Sequence, residues 1–469
     1  MGSSLNEEST ISSTSSEIVM RLTGLCNIRN VRSAQRNKIK EKLKLKNPTY
    51  EQAIRTNPRA RFAISQWIKY YQEEDDQTLT IPLGCWRQAK EFLEKSGFKV
   101  ALVDERVSQT IDSGISQIRL RDYQSGVPNS CHKSTEGIFR LDTGFGKTII
   151  ALKIHEILQQ KTLYVVPRLD LLDNVVKEYE TYFKKTPGII QGKNHSVKDF
   201  TVATVQSLQK RIREGKLSRE EFGLVIVDEC HLFVPSKWRG CVQFFSPRHL
   251  YGFTGTCDRS DGQGEAIKWF FGDIVDDRTL PGLVPRVRVA TYSGALPTFR
   301  YDETVGFQVK DKRRNAFITS LLQESVERGR KVICLTKRVD HYQLLKDLLA
   351  ERMGLSGLVV CNSDDKREDR KDKMNSLKDG SMDFKVVFGS LGLLAVGIDI
   401  PKIDTVIFAG DLKSSVLTRQ AAGRCLRLFI GKKHPEIIDI YDTGNPIFRR
   451  QGKFRQAFYK KLGWSIDFL

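Results

Sequence analysis

The chain has 469 residues, enough for two to four domains, and its make-up of 40% hydrophobic and 28% charged residues excludes a fibrous or disordered protein. Lysine and arginine outnumber the acids 76 to 56, a formal excess of +20, which draws polyanions, nucleic acid being the commonest of them. Nine cysteines without a CxxC pair argue against structural zinc, iron–sulfur ligation or a disulfide framework, and no apolar run approaches the ~20 residues of a membrane span.

Residues 1–17 are rich in Ser and Thr with interspersed acids, and lack the apolar stretch of a signal peptide. They read as a disordered tail, and the expected location is the cytoplasm, that of the host if the source is viral. Residues 18–112 form a basic, helix-leaning region, expected to be a small nucleic-acid-binding accessory domain. Phe62, Ile64, Trp67, Ile68 and Tyr71 are spaced as one helical face. These aromatics read as the core of that domain, with exposed Lys and Arg as its electrostatic footprint.

From residue 113 the pattern changes to short β-branched runs alternating with helical stretches: LYVVP, LVIVD, KVICLT, KVVFG and TVIFA. Such runs suit parallel strands covered on both faces by helices. They fall into two sets on either side of residues 295–314, which predicts two α/β domains in tandem, 113–294 and 295–469. The last stretch, NPIFRRQGKFRQAFYKKLGWSIDFL, is basic and aromatic. It reads as a helix and strand closing the second domain, or as an extension of a nucleic-acid surface.

Within the first α/β domain, EGIFRL predicts a strand, LDTGFGKT a loop and TIIALKIHEIL a helix. Strand, glycine loop and helix N-terminus together make a phosphate cradle, because Gly144 and Gly146 let backbone N–H groups approach an anion closely. Thr143 and Phe145 complete that loop, Lys147 would reach the β- and γ-phosphates, and Thr148 would offer its hydroxyl to Mg²⁺. About eighty residues on, LVIVDECH ends an apolar strand in two acids. Asp228 is suited to hold Mg²⁺ and Glu229 to orient and deprotonate water; Cys230 between Glu229 and His231 reads as a small apolar filler. Thr254 and Thr256 follow a further apolar run, and QAAGRCLR sets Gln420, Arg424 and Arg427 on neighbouring helical turns, where two arginines can meet a γ-phosphate.

In this order the motifs resemble those of superfamily 2 helicases and translocases, over about residues 115–430. The resemblance implies two tandem RecA-like domains after the small N-terminal one, and an ATP- and Mg²⁺-dependent motor on nucleic acid. LRDYQ is similar to the adenine-reading element, with Gln124 its glutamine and Arg121 beside the base. GFGKT and DECH correspond to motifs I and II, so Lys147, Asp228 and Glu229 are the implied catalytic set. VVPRLDLLDNV and VATVQSL resemble the strand-contacting motifs, implying Arg168, Thr204 and Gln206. TGT resembles the coupling motif III, implying roles for Thr254 and Thr256 with His231. GIDIP implies Gly397 and Asp399 as nucleotide sensors, and QAAGRCLR implies Gln420, Arg424 and Arg427 as the finger motif. The leucine at 141, where many phosphate loops carry glycine, is common in this superfamily. Within it, the N-terminal stretch resembles phage recombination helicases of the UvsW type, which implies fork regression, branch migration or unwinding of DNA. A similar motor with GFGKT occurs in poxviral transcript-release helicases, which keeps an RNA-directed role open.

Overall fold

The computed structural model describes residues 17–56, 63–142, 144–233, 238–255, 263–279, 284–361, 367–390, 400–410, 418 and 432–469. The expected tail over 1–16 lies outside them, as do Thr143, Thr256, Gly397, Asp399, Gln420, Arg424 and Arg427.

The N-terminal region contradicts the helical expectation. It is built on a five-stranded sheet of order β5-β6-β2-β1-β7, comprising β1 (Ile18–Leu22), β2 (Leu25–Arg29), β5 (Gln72–Glu73), β6 (Leu79–Pro82) and β7 (Val100–Asp104). Helix α1 (Ser33–Lys42), ribbon strands β3 (Lys44–Lys46) and β4 (Trp67–Lys69), α2 (Pro48–Thr56) and α3 (Trp86–Lys95) complete it. Trp67 and Ile68, expected on a helix, lie in β4 opposite Lys46 and Leu45. Five apolar positions between 62 and 71 are too few to establish a period, and spacings of three and four match a helix by chance there. Tyr70, beside them in sequence, is core, buried against Trp269 and Phe270 of the next domain.

The second sheet has eight strands, β11-β10-β12-β9-β13-β14-β8-β15. Its elements in chain order are β8 (Glu136–Leu141), α4 (Lys147–Leu158), β9 (Thr162–Val166), α5 (Leu169–Phe183), β10 (Gly188–Gln191), β11 (Asn194–His195), β12 (Phe200–Thr204), α6 (Val205–Arg213), β13 (Leu224–Asp228), α7 (Arg239–Gln243), β14 (His249–Thr254), α8 (Gly264–Phe271) and β15 (Ile274–Arg278). Every pairing is parallel except that of the edge strand β11. Both faces are covered. Along β13, Leu224 and Ile226 enter one core while Val225 and Val227 enter the other, which is why the strand reads as an unbroken apolar run. The second of these cores continues without a break into Ile18, Met20, Leu22 and Leu93 of the N-terminal sheet.

The third sheet, β18-β19-β17-β20-β21-β16-β22, is parallel throughout. It contains β16 (Arg286–Tyr292), α9 (Tyr301–Lys310), α10 (Lys312–Glu327), β17 (Val332–Thr336), α11 (Val339–Met353), β18 (Leu358–Cys361), α12 (Arg367–Asp379), β19 (Val386–Ser390), β20 (Thr405–Phe408), β21 (Glu436–Asp442), a helix here called α13 (Pro446–Lys461), and β22 (Ile466–Phe468). The chain therefore leaves the second sheet after Arg278 and has entered the third by Arg286, ahead of the boundary expected at 295. The run RVRVATY belongs to the later domain because its partners, β21 and β22, lie far ahead in sequence.

Candidate functional site

Because neighbouring strands run parallel, their carboxyl ends line one edge of the second sheet, where open α/β folds bind ligands. In spatial order β12, β9, β13, β14 and β8 bring Thr204, Arg168, Asp228 with Glu229, Thr254 and the glycine loop to that edge. Residues spread over more than a hundred positions thus form one row.

The loop closes on itself tightly. Phe145 N–H donates to the Asp142 carbonyl at 3.0 Å, and Gly144 and Gly146 hold φ of +90° and +95°, conformations that cost glycine little. Gly146 caps α4 without any side-chain hydrogen bond, which leaves N–H groups of the first turn for an anion. A Cβ at Gly146 would stand 2.4 Å from the Gln124 amide nitrogen. That amide is committed to the loop: Nε2 donates to the Phe145 carbonyl at 2.7 Å, and Oε1 accepts from Arg121 N–H at 2.9 Å. Tyr123, which the sequence left without a role, packs edge-on against Phe145 with ring centres 5.2 Å apart. Arg121 donates to the Tyr123 hydroxyl at 2.7 Å.

Across the edge, Lys147 Nζ donates to Glu229 Oε1 at 2.8 Å, both side chains being mostly covered. Glu229 sits in the left-handed region at φ +48°, an uncommon conformation for a residue with a side chain. Its N–H donates to Asp228 Oδ1 at 2.9 Å. Its second oxygen lies 3.4 Å from His231 Nδ1, which is 3.0 Å from the Thr254 hydroxyl. A chain of contacts therefore runs Lys147–Glu229–His231–Thr254. Burial, with the Glu229 charge second, raises the Asp228 carboxyl to about 6, against the pull of Lys147. Beneath it lies the fully buried Tyr164 hydroxyl, whose pKa is driven well above its ordinary value by burial and then by the Asp228 charge. That hydroxyl makes no hydrogen bond of ordinary geometry. Sequence reading missed it, since a tyrosine inside LYVVP looks like core.

These groups fit a nucleotide with Mg²⁺. The cradle has no room for a Cβ at Gly146, a lysine rests on a carboxylate that a phosphate can replace, and Asp228 and Thr148 would supply the hard oxygen donors that Mg²⁺ takes. Cys230 is fully buried, packed where a Cβ on Gly252 would be 2.8 Å from its sulfur; it is filler, as expected.

The strand-contact candidates differ among themselves. Thr204 is buried, with its hydroxyl donating to Ser207 at 3.0 Å. Gln206 is exposed, its amide 3.4 Å from the Pro167 carbonyl, and Arg168 begins α5 in extended conformation. At this edge Gln206 is thus exposed, Arg168 half-buried, and Thr204 buried against Ser207.

Tandem parallel sheets with a phosphate loop and a paired acid strand define a nucleotide-driven α/β motor. The family model "Type III restriction enzyme, res subunit" matches residues 108–259, and "Helicase conserved C-terminal domain" matches 313–429. Taken together, the two models show that the chain belongs to the superfamily 2 helicases and is a nucleic-acid-dependent ATPase. It is 29% identical over 369 residues, 74% of this chain and 69% of the relative, to L396 of Acanthamoeba polyphaga mimivirus, provisionally named an ATP-dependent RNA helicase. It is 22% identical over 431 residues, 83% of this chain and 84% of the relative, to the ATP-dependent DNA helicase uvsW of Enterobacteria phage T4. The solved helicase MrfA bound to DNA shares the fold, with a TM-score of 0.56 at 15% identity over 74% of this chain and 49% of that one. Among the described residues no helix is long and apolar enough to cross a membrane.

Proposed function

We propose that the chain is a DNA translocase that remodels branched DNA by unwinding, fork regression or branch migration. The observation that carries the reading is the N-terminal sheet, which shares one continuous apolar core with the second sheet. A nucleic-acid-binding element held that firmly can act as a fixed wedge beside a moving strand. An element on a flexible tether would only raise local concentration. The likeness to a phage DNA helicase over 83% of this chain and the +20 charge support the same reading.

In this mechanism Lys147 leaves Glu229 when phosphate enters the loop, so binding itself releases the base. Glu229 then orients water and takes its proton. Thr148 and Asp228 would hold Mg²⁺, which when bound neutralises charge on the phosphates. Gln124 and Arg121 tie the base-side element to the loop, with Thr143, Gly397 and Asp399 completing the nucleotide contacts. His231 with Thr254 and Thr256 carries the state of Glu229 along the sheet edge, and Arg168, Thr204 and Gln206 form the strand-facing side. Gln420, Arg424 and Arg427 are proposed to complete the site from the second α/β domain. Residues 18–112 serve as the DNA-binding accessory element.

The test is unwinding and ATPase activity on single-stranded, duplex, forked and four-way DNA beside single-stranded RNA. Forked and four-way DNA are expected to stimulate most, and Lys147→Ala to abolish unwinding while binding survives. Full unwinding by that variant would overturn the assignment. Stimulation by RNA above every DNA would transfer it to the RNA-directed role that the L396 likeness favours.

A further inference from the structure

The helix α13 presents two different faces. Its inner face is locked to the third sheet: Arg455 makes a bidentate contact with Asp439, Nε to Oδ2 at 2.8 Å and Nη2 to Oδ1 at 2.7 Å, and the Tyr459 hydroxyl donates to Oδ2 at 2.9 Å. Gly452 lies against the Tyr441 ring so closely that a Cβ would be 2.3 Å from it. The helix can neither roll nor lift without breaking these contacts, so the direction of its outer residues is fixed. That outer face carries Arg449, Arg450, Lys453, Phe454, Lys460 and Lys461, all exposed, and the sixteen residues include no acid. Arg449 is engaged with the Thr443 carbonyl.

A solvated helix face normally mixes signs, because like charges three or four apart repel. The long helices α10 and α11 of the same sheet do mix them. In α13 the repulsion is kept, and Arg449 and Arg450 stand near the N-terminal end, where the helix dipole disfavours cations. Arg450, Lys453 and Lys460 span ten residues, roughly 15 Å at the α-helical rise, comparable with about four phosphates of one strand. Phe454, 41% exposed, sits in the same stripe and offers a ring on which an unstacked base can lie.

We infer that the outer face of α13 is a second nucleic-acid contact, a phosphate-backbone surface outside the motifs of the motor cleft. It rests on the nucleic-acid-dependent motor and is independent of whether the substrate is branched DNA. The test uses the full chain and a labelled forked DNA, with binding measured across a salt series. The triple variant R450Q/K453Q/K460Q is expected to flatten the log K against log salt slope by roughly 2 to 3 and weaken binding about tenfold at moderate salt. ATPase without nucleic acid should be unchanged. Single K453Q should flatten the slope by about 0.9, which keeps the inference testable if the triple variant is unstable. The charge-preserving K453R/K460R should keep the parent slope, and K312Q/R352Q, at exposed positions of α10 and α11 that carry no proposed binding role, serves as a control for lost surface charge. Slopes and affinities of the triple and single variants equal to the parent would overturn the inference and leave the motor assignment untouched. A drop no larger than that of the K312Q/R352Q control would overturn it equally. Absence of nucleic-acid-stimulated ATPase in the parent would instead strike the motor itself.

Discussion

At the scale of single residues, Glu229 carries the most. It holds a left-handed backbone conformation at φ +48°, whose cost is of order 1–3 kcal/mol, and that twist turns its carboxylate toward Lys147 and His231 rather than into the core under β13. Asp228, one residue earlier, is buried and accepts from the Glu229 N–H. The two adjacent acids are therefore separated by backbone geometry into a buried acid and a reachable one. Glu229→Gln keeps the shape and removes the base. The expected outcome is a fall in nucleic-acid-stimulated ATPase of roughly 10²–10⁴-fold, the usual contribution of a positioned general base, with nucleotide binding retained when read by a fluorescent ATP analogue. An ATPase within a few-fold of the parent would remove Glu229 from the chemistry.

At the scale of elements, β8 links two ends of the story: it finishes at the glycine loop and begins at Glu136, which is fully buried at the joint with the N-terminal sheet. Trp86 Nε1 donates to its Oε1 at 2.8 Å and Arg106 Nη1 to its Oε2 at 2.9 Å. Nearby the backbones touch: a Cβ on Gly84 would lie 2.2 Å from the nitrogen of Gly272. Glu136→Gln removes the charge that Arg106 and Arg87 both pair with and leaves Arg106 with Asp104 and the Thr135 hydroxyl, so the expected destabilisation is about 3 kcal/mol, the lower end for a broken buried pair. Urea unfolding checks it, and an unchanged midpoint would show that the joint does not depend on this charge. The same element-level view explains what could be read beforehand. Strands β9, β13, β17, β19 and β20 were legible because burial on both faces makes them continuous apolar runs. The N-terminal strands were not: β1 buries alternate residues and its parallel partner β7 begins at Val100, paired with Ile18. Lys147, Asp228 and Glu229 were legible because each follows directly on a strand or loop signature. The contact of His231 with Thr254 and the placement of Tyr164 under Asp228 arise only when strands far apart in sequence are laid side by side.

At the scale of the whole molecule, buried histidines couple stability to pH. Burial lowers His155 and His249 to about 4 and His341 to about 3, with neighbouring cations adding to the shift in each. His341 shows why: it sits on the buried face of α11 with Nε2 3.0 Å from Asn315 Oδ1, and the charges of Arg314 and Arg338 oppose a further positive one. An unfolded histidine takes its proton near pH 6.5. Between that value and the folded values the unfolded chain binds more protons, so stability rises with pH there and is lost as pH falls. The contribution is complete above about pH 6.5. Each histidine adds a slope of roughly 1.4 kcal/mol per pH unit within its window, and the Asp228 carboxyl, which takes its proton near pH 6 in the folded chain, offsets about one proton of that slope below this value. The expected result is a flat urea midpoint from pH 8 to 7 and a steep decline below about 6.5. His341→Gln, which can keep the hydrogen bond to Asn315 without accepting a proton, should remove one proton's worth of that acid slope. An acid limb in the variant as steep as in the parent would mean that His341 is not held neutral by its surroundings.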